Sequence, residues 1–338
     1  MDYHALYRAV TPRYPLDDLT PAGVSAWQAR LRPALRAALG LTRMEADLAS
    51  HTPQAELLER EVCEGFVRER WTLTTEPDLA LPFYLLRPDP LPAGRLPLVL
   101  TPHGHNVPGI YAGVYADEEE RRSGVEGQRD IAVQAARQGY LAIAPTARGF
   151  GETRTPADIA AGALNSCRTR TLQGLLVGRT VIGERVWDLE RLLDWALAEQ
   201  SVDPARVAIT GNSGGGTASF FAAACDVRYS AALPGSYYCS LADSIGSIYH
   251  CDCNYVPDIL SLGELGSLAG LIAPRYVRFL NGRLDPIFPI EAAREQFAHT
   301  HAIYAAAGVP ERCSLWIGPE GHRYYSAGAW TWLRAVWR

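Results

Sequence analysis

The sequence predicts an α/β protein: a mostly parallel central sheet with helices on both faces, plus a helical N-terminal extension. Three observations predict it. Short apolar runs recur at 96–101, 140–144, 206–210, 230–233, 276–280 and 313–317, the pattern of strands buried on both faces. Helical patterns stand between many of them, at 130–138, 184–200, 216–224 and 291–307. One strand-to-helix junction reads Gly211-Asn212-Ser213-Gly214-Gly215, a serine set among small residues where the chain must turn sharply.

Taken in order, residues 1–63 read as the helical extension, packing on the core. Thr20-Pro21 supplies a capping side chain and a first-turn proline, Val24, Trp27, Leu31, Leu35 and Leu39 recur at helical spacing, and Gly40 is a stop. Pro33 is expected to kink or divide this helix. Residues 64–338 read as one catalytic domain with a loop insertion at about 237–266. Within it, 66–73 alternates only partly, as an edge strand does, and 81–86 is its hairpin partner. The helix at 184–200 places Val186, Leu189, Leu193 and Leu197 on one face and Asp188, Glu190, Arg191 and Asp194 largely on the other. The charged run 117–122 is a solvated loop or helix face.

Composition bounds the function. The 338 residues carry a net charge of −5, so no basic field is present to attract nucleic acid or an anionic membrane; all 32 lysine-or-arginine positions are arginine. No apolar stretch approaches the ~20 residues needed to cross a bilayer. The opening Met1-Asp2-Tyr3-His4 lacks the positive region of a secretory signal. Seven scattered cysteines, an odd number, fit reduced thiols in a cytoplasmic protein better than a disulfide framework.

A serine hydroxyl becomes a nucleophile only beside a base, with an acid to orient that base and donors for the oxyanion. Ser213 is the candidate nucleophile. His322, in a glycine-bounded loop after the strand 313–317, is the candidate base, and Asp285, directly after the strand 276–280, is the candidate acid. Their order, Ser then Asp then His, suits a glycine-flanked serine at a strand-to-helix turn. Oxyanion donors are expected at the Gly214 main-chain N–H and at the His105 N–H, in the loop Thr101-Pro102-His103-Gly104-His105-Asn106. His103 shapes that loop through its ring.

These residues resemble the α/β-hydrolase superfamily, and within it the acetyl-xylan-esterase and dienelactone-hydrolase-like branch. The resemblance rests on His103-Gly104-His105, Arg148-Gly149-Phe150-Gly151-Glu152, Asp203-Pro204-Ala205-Arg206-Val207, Gly211-Asn212-Ser213-Gly214-Gly215-Gly216, Asn281-Gly282-Arg283-Leu284-Asp285-Pro286 and Gly321-His322, and covers roughly residues 64 to 338. It implies an α/β-hydrolase fold and a cofactor-free serine esterase using Ser213, Asp285 and His322. It also implies a small-molecule ester substrate with a short acyl group, such as an acetylated sugar. Gly214 stands where many carbohydrate acetyl esterases have glutamine, a departure that bears on the sugar and not on the hydrolysis. The extension lies outside the match and could cover the site or make a homo-oligomer contact.

The segment Tyr249-His250-Cys251-Asp252-Cys253-Asn254-Tyr255 has metal-binding residue types, but Cys-x-Cys beside one histidine lacks the second pair that tetrahedral zinc wants, so no metal is expected. A local Cys251–Cys253 disulfide is the other reading of that pair. His103, Tyr237 and Tyr249 are candidate pocket residues, and tyrosines here could equally be filling beneath the loop. Two rival functions share the scaffold: a prolyl-oligopeptidase-like serine peptidase, for which some sixty helical residues are too few to build a propeller, and a non-catalytic binding protein, which commonly lacks a triad member.

Overall fold

The computed structural model describes residues 2–338. Nine strands form one sheet among the described residues: β1 (Ala55–Cys63), β2 (Phe66–Glu76), β3 (Leu79–Pro88), β4 (Leu96–Leu100), β5 (Leu141–Pro145), β6 (Val202–Asn212), β7 (Ala231–Gly235), β8 (Tyr276–Gly282) and β9 (Cys313–Gly318). Their spatial order is β1-β2-β3-β5-β4-β6-β7-β8-β9. The first three run antiparallel and β3 meets β5 antiparallel, while β5, β4 and β6 to β9 are all parallel. The parallel strands β4, β5 and β7 are buried at every position, as strands covered on both faces must be.

Helices α1 (Tyr3–Ala9), α2 (Pro21–Leu39) and α3 (Leu41–Asp47) precede the sheet. Then come α4 (Glu118–Glu126), α5 (Ile131–Arg137), α6 (Pro156–Ala160), α7 (Cys167–Leu176), α8 (Val181–Glu199) and α9 (Gly214–Cys225). The last three are α10 (Leu265–Leu268), α11 (Ile290–Ala306) and α12 (Ser326–Val336). One face of the sheet carries α2, α8, α9 and α11 over a core that includes Leu98, Ile209, Phe221 and Phe279; the other carries α5 and α12 over Val99, Ala142, Ala208 and Leu280.

Helix α2 starts and stops where its signals lie. Thr20 Oγ1 accepts from the Gly23 N–H, and Gly40 ends the helix at φ +86°. It runs unbroken through Pro33, contrary to the expected division. An interior proline costs about 3 kcal/mol, but Leu31 and Leu35 are wholly buried on either side of it, and that packing offsets the lost hydrogen bond. Residues 55–63 are not helical either. The segment Ala-Glu-Leu-Leu-Glu-Arg-Glu has helix-forming composition, yet it pairs with β2 and matches charges across the strands, Glu59 to Arg70 and Glu61 to Arg68. That makes β1 the edge and moves β2 inward.

The polar face expected for α8 is also corrected. Asp188 and Glu190 are buried, because α2 and the strand-end loops cover what looks like a solvent face. Glu190 pairs with Arg36 of α2. Asp188 receives the Thr75 hydroxyl and two donors of Arg148, which is 1% exposed and also pairs with Glu76. The charged run near residue 118 forms the exposed helix α4. No helix is long and apolar enough to cross a membrane among the described residues.

Candidate active site

Because β4, β6, β8 and β9 are parallel, their C-terminal ends share one edge of the sheet, where ligand sites collect in open α/β folds. Ser213 follows β6 directly. It stands at φ +59° and ψ −120°, a backbone conformation that costs a side-chain-bearing residue of order 1–3 kcal/mol. The flanking glycines make the turn possible. A methyl group at either Gly211 or Gly215 would collide with the Pro102 carbonyl, so β4's loop lies directly on the elbow. Tyr111 is wholly buried, and its hydroxyl accepts the Asn212 N–H at 3.3 Å, which pins the turn from the other side.

The loops after β8 and β9 hold each other. The Leu284 N–H donates to Glu320 O at 2.9 Å, and the Arg283 N–H to Gly318 O at 2.9 Å. Within them Asp285 Oδ2 accepts from His322 Nδ1 at 2.7 Å, with the carboxylate side chain fully buried. The other carboxylate oxygen accepts two main-chain N–H groups, from Ile287 at 3.0 Å and Phe288 at 3.2 Å. The His322 ring lies nearly parallel to Phe288, 19° between planes. Its tautomer follows from these contacts. In the neutral ring a carboxylate at Nδ1 holds the proton on that atom, so Nε2 is the nitrogen with the lone pair. Ser213, Gly214 and His322 line one cavity of about 360 Å³.

Gly214 opens α9, so its N–H has no acceptor within the helix and lies at the positive end of the helix dipole. The loop after β4 packs against it: a methyl group at Gly104 would stand 3.3 Å from both Gly214 N and Ser213 Cβ. His105 lines the same cavity.

Three pocket candidates divide. Tyr249 is 93% exposed and lines the cavity. His103 does not. It is buried, donates from Nδ1 to Gly104 O at 2.6 Å and accepts the Ala147 N–H at Nε2, 2.8 Å. Burial pushes its pKa down to about 3, so it is a neutral strut between two loops. Tyr237 is also outside the cavity. It is wholly buried, packed against Phe220 and Phe221 of α9 and against Phe288. Tyr238 stacks on Phe279 with 3.7 Å between ring centres. Sequence reasoning missed Phe288, Tyr111 and Asn254, whose Oδ1 accepts from Thr217 of α9; nothing in their local sequence marks them.

A further group was hidden because its members are distant in sequence. His105, Cys167, Cys251 and Cys253 bring one potential ligand atom each to within 4.8 Å of one another. The second pair that Cys251-Asp252-Cys253 lacks in sequence comes from His105 in the loop after β4 and from Cys167 at the start of α7. All seven cysteines are free thiols, Cys251 and Cys253 included.

Sheet, elbow and strand-end loops together define an α/β-hydrolase fold. The family model described as Abhydrolase family matches residues 3–241, and the chain belongs to that family. A Bacillus subtilis (strain 168) protein named as a hydrolase, YtaP, is 25% identical over 294 residues, 83% of this chain and 91% of that one. A solved structure described as an acetyl xylan esterase, from Bacteroides fragilis NCTC 9343, superposes with TM-score 0.78 at 18% identity, over 99% of this chain and 94% of that one. A glucuronoyl esterase from Solibacter usitatus gives TM-score 0.65 at 15% identity, over 97% and 98%.

Proposed function

We propose that the protein is a serine hydrolase of carboxylic esters, acting through an acyl-enzyme on Ser213. The observation that carries this reading is the 2.7 Å Asp285–His322 hydrogen bond, which orients the ring so that Nδ1 is engaged and Nε2 is the nitrogen available to Ser213 in the cavity they share. His322 takes the proton of Ser213 as the oxygen attacks the ester carbonyl. The Gly214 and His105 amides receive the oxyanion, each donor contributing about 3–4 kcal/mol. The tetrahedral intermediate collapses as His322 protonates the leaving alcohol. Water then enters, gives its proton to the same nitrogen and releases the acid, returning Ser213 to its starting state. Asp285 stabilises the imidazolium at both steps.

The chemistry needs no cofactor for these steps. The cavity suits a short acyl group, since about 360 Å³ is near the lower end of small-molecule pockets. Acetyl esters of a polyol are the substrates we favour; the polar rim of Asn106, Arg129, Asn254 and Arg323 would meet sugar hydroxyls. The fold relative described as an acetyl xylan esterase points the same way. We place residues 1–63 as a segment supporting the catalytic domain, and the free thiols fit a reducing compartment such as the cytoplasm.

A panel of nitrophenyl esters of rising acyl length, run beside acetylated sugars and aminoacyl arylamides, tests this. Acetate esters are expected to turn over at least about tenfold faster, as kcat/KM, than octanoate esters, because each extra methylene must find room in a small cavity. Arylamide turnover exceeding ester turnover would favour a peptidase instead.

A further inference from the structure

The four residues beside the oxyanion loop have a geometry that thiol packing alone does not explain. His105 Nε2 lies 3.4 Å from Cys253 Sγ and 3.8 Å from Cys167 Sγ. Zinc bonds of about 2.3 Å to sulfur and 2.0–2.1 Å to nitrogen, at tetrahedral angles, put ligand atoms about 3.6 Å (S to N) and about 3.8 Å (S to S) apart. The observed separations match, and every pair in the group is inside 4.8 Å. We propose that His105, Cys167, Cys251 and Cys253 form a closed Cys₃His site for a structural zinc ion.

The surroundings fit that charge. Three thiolates, one neutral imidazole and Zn²⁺ sum to −1. Arg185, 5% exposed, donates to Cys253 Sγ and Cys167 Sγ at 3.5 Å each, and its remaining contacts go to the Arg148 carbonyl. No carboxylate forms a salt bridge with it among the described residues. A buried guanidinium is stabilised by a facing anion, and the zinc-thiolate group supplies one. Phe150 packs on another side, its ring edge-on to His105 at 5.3 Å and under the Arg185 guanidinium, while the His105 side of the group faces solvent. Cys167 and Cys253 are each 1% exposed, so the site is dry on that side. Had the cysteines been simple apolar filling, neither a basic ring nitrogen nor a guanidinium would be aimed at their sulfurs.

With four protein ligands the ion has no open position for substrate, so its role is to hold parts together. It ties the insertion after β7 and the start of α7 to the loop that carries the His105 amide. Binding at Nε2 also assigns the imidazole proton to Nδ1, the atom that faces Gly214. Loading displaces up to three thiol protons into solvent and changes no oxidation state.

The experiment is metal analysis of the full chain purified without chelator from zinc-supplemented medium. About one zinc per chain is expected, falling at least about tenfold in Cys251→Ser/Cys253→Ser, while Cys313→Ser, which removes a buried thiol elsewhere, keeps its metal. Should the double variant fail to fold, cobalt exchanged into the unaltered chain decides. Tetrahedral d–d bands with thiolate-to-cobalt charge transfer support the site. Zinc below about a tenth of an equivalent, with no such bands, overturns it. A disulfide joining any two of the three cysteines, found by mass spectrometry of the unreduced chain, overturns it too. None of these readouts depends on the esterase reading.

Discussion

Replacing Asp285 by asparagine is expected to lower kcat for a short-acyl ester by about 10⁴-fold while leaving KM within a few-fold. The reason lies in the two oxygens. One already accepts the N–H groups of Ile287 and Phe288, so an asparagine would keep its carbonyl oxygen there and turn its NH₂ toward His322 Nδ1. The imidazole would then carry its proton on Nε2, with no lone pair left for Ser213. The fold should survive, because the main-chain bonds to that side chain are retained. A loss below about tenfold would mean that this carboxylate does not set the tautomer in the reaction.

The second large effect concerns stability. Arg148→Met is expected to destabilise the protein by about 3–5 kcal/mol, the cost of stranding one partner of a buried ion pair. Arg148 is 1% exposed and serves Asp188, itself buried at the centre of α8, together with Glu76 at the end of β2. Removing the guanidinium leaves Asp188 with Thr75 alone. Urea unfolding measures the difference, and adding Asp188→Leu should recover part of it, since both charges are then gone. A single-variant loss under about 1 kcal/mol would show that water reaches Asp188 and solvates it.

Both effects turn on features that the sequence discloses unequally. The parallel strands were legible because β4, β5 and β7 are buried at every position and so read as unbroken apolar runs. Ser213, Asp285 and His322 were legible as candidates because each lies within four residues of the C-terminal end of a parallel strand, and those ends converge in this architecture. The structure brings Asp285 and His322 into contact and sets His322 in one cavity with Ser213.

What stayed hidden has physical causes. Periodicity shows that α8 has a charged face but not that α2 covers it, so the burial of Asp188 and Glu190 was out of reach. Composition made residues 55–63 look helical, whereas cross-strand Glu–Arg pairing settles them as β1. Aromatic residue type suggested Tyr237 for the pocket, but type does not report side-chain direction. The Cys₃His group draws on three segments, and a spacing rule applied to Cys251-Asp252-Cys253 alone could not find Cys167 or His105.

The central claim is that the hydroxyl at 213 is an activated nucleophile. Fluorophosphonate labelling followed by peptide mapping tests it most directly. One phosphonate per chain is expected, located on Ser213, absent in Ser213→Ala and strongly slowed in His322→Gln. Labelling at another residue, or no labelling of the folded chain, would contradict it.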